Sequence, residues 1–117
     1  MRLWKNVIVS SAQNAIKAKE HFLGSSKQKS LDSINKQKIH SIKVAGSLPP
    51  LAESYRHDLV GPYNENLMQY EIIVHSLLEY VDLFICETMS TIAESESAIE
   101  AAMKVMRGTL CNGFEHN

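Results

Sequence analysis

The sequence predicts an α/β chain in which helices alternate with short parallel strands, and three observations predict it. Val81-Asp82-Leu83-Phe84-Ile85-Cys86-Glu87-Thr88-Met89 is an apolar, strand-forming run that ends abruptly in a carboxylate. A parallel strand covered on both faces reads in this way. Ile42-Lys43-Val44-Ala45 is a second such run and gives way to Gly46-Ser47-Leu48-Pro49-Pro50. Between and after them the apolar residues recur at helical spacing.

Residues 7–23 read as the first helix, with Ser10 or Ser11 as its N-cap. Ala12, Ala15, Ile16, Ala18, Phe22 and Leu23 form its apolar stripe, and Gly24 suits its end. Residues 25–40 are rich in Ser, Lys, Gln and Asn and read as a solvated loop. The first strand, 42–45, is stopped by Pro49 and Pro50, which carry no amide donor. A polar loop through Tyr55-Arg56-His57-Asp58 leads to the best-patterned helix, 64–80. There Leu67, Tyr70, Val74, Leu77, Leu78 and Val81 fall at steps of three and four. The second strand is 82–86, and a third helix follows over 92–106. Thr91 and Glu94 have capping-box spacing for that helix. Ile92, Ile99, Ala102, Met103 and Met106 are expected to face the sheet. Residues 108–117 show no pattern and read as an irregular tail. The central strand–helix–strand unit predicts one right-handed crossover.

Charge is unevenly spread. Residues 1–43 carry nine Lys/Arg against two Asp/Glu, and residues 44–117 carry three against eleven. A basic arm of this kind suits nucleic acid, but the aromatic residues that stack on single strands do not interleave it. No nucleic-acid partner is expected; the basic residues decorate a helix and a loop. No apolar run approaches the roughly 20 residues of a membrane span, so no membrane partner is expected either. Cys86 and Cys111 make no disulfide framework, which predicts a reduced, cytoplasmic protein.

Two segments carry a family resemblance. Val44-Ala45-Gly46-Ser47-Leu48-Pro49-Pro50 with Ser54-Tyr55-Arg56, then Asp82-Leu83-Phe84-Ile85-Cys86-Glu87-Thr88-Met89, resemble the homocysteine S-methyltransferase family over about residues 42–103. The resemblance implies a fragment of a (β/α)8 TIM barrel, about two parallel strands and three helices, within residues 1–117. A whole barrel takes roughly 250 residues. It implies homocysteine as substrate, a donor such as S-methylmethionine or S-adenosylmethionine, and methionine as product.

The resemblance further implies that Glu87 grips the amino group of homocysteine. The chemistry suits it, since a carboxylate at a strand end accepts a charge-assisted hydrogen bond from an ammonium group. The plainer alternative is a surface acid that caps the next helix. Thr88 adds a hydroxyl beside it or simply ends the strand. Gly46 and Ser47 close the first strand on the same side; Gly46 allows close approach of a ligand or a positive φ in a turn. Tyr55 and Arg56 line the mouth of the site or pack as ordinary loop residues. His57 stands where many relatives would carry proline, which loosens that loop.

Intact relatives hold zinc on three cysteines from later glycine–cysteine motifs. Neither motif occurs here, so no metal is expected on this chain and catalysis by it alone is not expected. Cys86 reads as a buried apolar residue. His21, His40, His75 and His116 do not pair at helical metal spacing. The non-enzymatic alternative is a fragment or split-barrel subunit that self-associates, or complements another half-barrel, through unpaired strand edges.

Overall fold

The two apolar runs pair side by side. In the computed structural model, which describes residues 2–24 and 42–115, β1 (Ala45–Leu48) and β2 (Leu83–Cys86) form a parallel sheet. Its register sets Ala45 beside Leu83, Gly46 beside Phe84, Ser47 beside Ile85 and Leu48 beside Cys86. Around it lie α1 (Arg2–Leu23), α2 (Tyr63–Leu77) and α3 (Ile92–Glu115), with one 3-10 turn at His57–Leu59. Among the described residues the protein is thus an α/β chain with three helices and a two-stranded parallel sheet. The polar segment 25–40 lies outside the described residues.

β1 begins three residues later than its sequence suggests. Gly46 and Ser47 read locally as a turn, yet they sit inside the strand. Pairing decides this, because strand propensity yields to tertiary context. Leu48 is fully buried, and its carbonyl accepts the Glu87 amide at 3.2 Å. At the other end Asp82 clasps the strands together: its amide donates to the Val44 carbonyl at 2.7 Å, and its Oδ2 accepts the Val44 amide at 2.8 Å. Pro49 and Pro50 then stop the strand as expected.

Among the described residues only one face of the sheet is covered. Gly46, Leu48, Phe84 and Cys86 share the covered face, where α2 lies on β1 and α3 on β2. Tyr70, Ile73, Val74 and Leu77 of α2 meet Ala98, Ala101 and Val105 of α3 in the core. Ala45, Ser47, Leu83 and Ile85 face the open side. The expectation of strands buried on both sides is therefore corrected for the described residues.

The helices differ from expectation at their ends and faces. Ser11 is no N-cap; its Oγ donates back to the Ile8 carbonyl at 2.7 Å within a helix that already runs from Arg2. α2 ends at Leu77, and the Leu78 and Tyr80 amides close it on Val74 and Leu77. α3 passes the predicted end at 106 and continues to Glu115, so the expected irregular tail is helical through that residue. No proline interrupts residues 107–115, and the two glycines, Gly108 and Gly113, cost only about 1 kcal/mol each in a helix already nucleated.

The largest correction concerns which side of α3 is buried. Ile92, Ile99, Met103 and Met106 do not face the sheet; they are exposed. Glu94, Ser97, Ala98, Ala101 and Val105 are buried instead, and Ala102 is only partly covered. Small residues let α3 lie close along α2, and that close approach fixes the rotation of the helix.

Candidate functional site

The C-terminal edge of the sheet is built by three fastenings. The first is the Leu48–Glu87 backbone bond, which carries the ladder one step beyond β2. The second is Tyr70, fully buried, whose hydroxyl donates to the Pro49 carbonyl at 2.7 Å and lies 3.8 Å from Met89 Sδ. One phenol thereby ties the segment after β1 to the segment after β2. Burial raises its pKa, with the nearby Glu94 charge adding to the effect. The third is the start of α3: Thr91 Oγ1 accepts the Glu94 amide at 3.0 Å, and Glu94 Oε1 accepts the Ser90 amide at 2.9 Å. This is the reciprocal arrangement that the Thr91/Glu94 spacing predicts, shifted by one residue on the return bond.

On this frame Ser47 and Glu87 come together. The Ser47 hydroxyl donates to Glu87 Oε1 across the strand ends, on the open face of the sheet. Both side chains are exposed. Thr88 follows with φ of 56°, a left-handed conformation that β-branched residues avoid. Such strain concentrates where a chain must aim a particular group. Thr88 turns the backbone sharply after Glu87 and separates the strand from the helix cap at Ser90–Thr91.

Gly46 lies apart from these residues. It is on the helix-covered face, its φ is not positive, and a Cβ there would meet Phe84 Cδ1 and Cε1 at 3.0 Å and Leu77 Cδ1 at 3.2 Å. No turn calls for this glycine; the Phe84 ring leaves little room for a Cβ, and Gly46 also lines the groove beside α1. The mouth-loop residues are also accounted for. Arg56 forms a fork to Asp58 at 2.9 and 2.8 Å and an ion pair to Glu53 at 3.5 Å. The Asp58 bond raises the Arg56 pKa, and Arg56 in turn lowers that of Asp58. Tyr55 is exposed with φ of 62°.

A groove of about 260 Å³ runs between α1 and the free edge of β1, lined by Ile8, Ala12, Ser47, Pro49, Ile73 and Leu77 among others. It is smaller than the roughly 300–1,000 Å³ of sites for drug-sized ligands. Ser47 stands at its border with the sheet edge, whereas Glu87 and Thr88 do not line it.

Among the described residues no group of three or more His, Cys, Asp or Glu could hold a metal. Cys86 lies on the covered face of the sheet, and burial pushes its thiol pKa up, away from the thiolate that zinc requires. The side chain of Cys111 lies outside the described residues.

Two residues that fasten the sheet, Tyr70 at this edge and Asp82 at the opposite one, carry no motif in the sequence. Tyr70 reads as one more apolar step of its helix; its polar tip is the only signal of a further role. Asp82 reads as the start of a strand. Among the described residues no helix is long and apolar enough to cross a membrane. Comparison of the chain with protein-family models, with curated proteins and with solved structures finds no match.

Proposed function

We propose that this chain is part of a homocysteine S-methyltransferase, a barrel fragment whose Glu87 receives the amino group of homocysteine. The observation that supports the reading is the Ser47–Glu87 pair at the C-terminal ends of two parallel strands. Ligand sites of (β/α)8 and open α/β folds lie at that end. The Glu87 carboxylate accepts the substrate ammonium in a charge-assisted bond. Ser47 occupies one oxygen and so orients the other toward the substrate. The strained Thr88 backbone holds the carboxylate at the rim.

In the reaction the sulfur of homocysteine takes a methyl group from a sulfonium donor, S-methylmethionine or S-adenosylmethionine, to give methionine. A sulfur–carbon bond forms, the donor's methyl–sulfur bond breaks, and the thiol proton is released. The glycine–cysteine motifs that hold zinc in intact relatives do not occur in the sequence, so on this reading the chain alone binds homocysteine without turning it over. Calorimetric titration with homocysteine tests this reading. Binding is expected at millimolar concentration or tighter, about ten-fold weaker in Glu87→Gln. Binding indifferent to Glu87→Gln, or none at all, removes the assignment.

A second reading is self-association through the sheet. Leu83 and Ile85 are 40% and 50% exposed on its open face, and short open sheets pair readily with another chain. Loss of association in Ile85→Lys, with no homocysteine binding in the parent, would select it.

A further inference from the structure

The outer side of α3 carries an apolar seam that none of the described residues covers. Ile92, Ile99, Met103 and Met106 are 79%, 51%, 46% and 45% exposed. Their spacing of seven, four and three residues puts them on one stripe. That stripe is turned away from the buried Ala98, Ala101 and Val105. At 1.5 Å per residue the seam is about 21 Å long. Scattered apolar side chains on a surface are ordinary; four along one helical line are not.

The charges beside the seam identify its occupant. Glu96, Glu100 and Arg107 flank it on the side toward α2, with Lys104 further round. Glu100 accepts the Tyr63 hydroxyl, and Lys104 is ion-paired with Glu71 at 2.9 Å. Glu96 and Arg107, among the described residues, form no ion pair within the chain. They lie toward opposite ends of the seam and bear opposite signs. A two-fold axis near residues 101–102 brings each against the other's counterpart. A notch of about 340 Å³ lined by Glu100, Met103, Lys104 and Arg107 opens beside the seam. In the same arrangement it faces the partner's Ile99.

We infer that α3 is a self-association surface that pairs antiparallel with the α3 of a second copy. Ile99 meets the partner's Met103, and Met103 the partner's Ile99, about the centre, and Glu96 meets the partner's Arg107 on the flank. The antiparallel sense follows from charge, since a parallel two-fold pair would set this flank against the partner's opposite flank, on the side of Ser95 and Ala102, and leave Glu96 and Arg107 without a partner charge. A single helical seam is narrower than the roughly 800 Å² per partner of a standard interface, so the dimer is weak and reversible. The surface is on the far side of α3 from the sheet and does not depend on the methyl-transfer reading.

Sedimentation of the full chain across a concentration series tests it. The parent is expected to show a monomer–dimer equilibrium, with dissociation at least about ten-fold easier in Ile99→Lys. The exposed position leaves the fold intact, checked by circular dichroism. Arg107→Glu is expected to weaken the dimer, and adding Glu96→Arg to restore it, because the reversed pair is again complementary. A parent that stays monomeric at about 1 mM overturns the proposal. So does association that Ile99→Lys leaves unchanged, or an Arg107→Glu defect that Glu96→Arg fails to repair.

Discussion

Replacing Gly46 by alanine measures how closely the Phe84 ring is seated under the sheet. The new Cβ would lie 3.0 Å from two atoms of that ring and 3.2 Å from Leu77 Cδ1. Leu77 is itself buried in the core, so the space cannot open freely on that side. Over-packing of this size costs about 1–3 kcal/mol. Restricting the unfolded chain returns about 0.4–1 kcal/mol. The net expectation is a loss of about 1–2 kcal/mol, or roughly 4–16 °C in Tm for a domain of this size. Thermal unfolding followed by circular dichroism reads it. Ser47→Ala, on the open face one residue away, is the control and should change stability by no more than about 0.5 kcal/mol. Combining Gly46→Ala with Phe84→Leu should recover at least about 0.5 kcal/mol relative to the sum of the single variants, since the ring atoms that clash are gone. If Gly46→Ala matches the parent, or the pair is additive, the close approach to Phe84 does not govern this position.

Two further outcomes follow from the geometry. Tyr63 donates its hydroxyl to Glu100, and the adjacent carboxylate opposes the phenolate, raising the pKa from 10.0 to about 12. The sign follows: the contact stabilises the fold below pH 10 and is lost as the pH rises toward 12. Ultraviolet titration should therefore find, besides the buried Tyr70, a second late-ionising phenol that moves back toward its ordinary value in Glu100→Gln; no movement would show that the bond does not form in solution. Thr88 holds φ of 56°, which costs an L-residue about 1–2 kcal/mol. Thr88→Gly relieves this and should leave Tm equal to or above the parent's, whereas a fall worth more than about 1 kcal/mol would mean that the strain is absent.

The alternation of strands and helices, the proline stop after Leu48 and the Thr91–Glu94 cap were legible in the residues, because each rests on local chemistry: periodicity, a missing amide, a side chain within reach of its own backbone. The boundaries of β1 were not. Gly46 and Ser47 look like a turn until β2 lies beside them, and a strand edge is fixed by its partner rather than by its own propensity. The site was half legible. Glu87 at the end of an apolar run invited attention, but only the register across two strands could bring Ser47 to it and turn Gly46 to the other face.

By itself the sequence determined that two strands and the helices beside them would form, since repeating apolar spacing and capping chemistry act within a few residues. Tertiary structure alone decided which side of each element is covered. Helix α3 offers both a stripe of large side chains and a row of small ones, and the small ones won because they let two helices lie closer together. That choice left Ile92, Ile99, Met103 and Met106 at the surface, where amphipathic pattern alone would have hidden them.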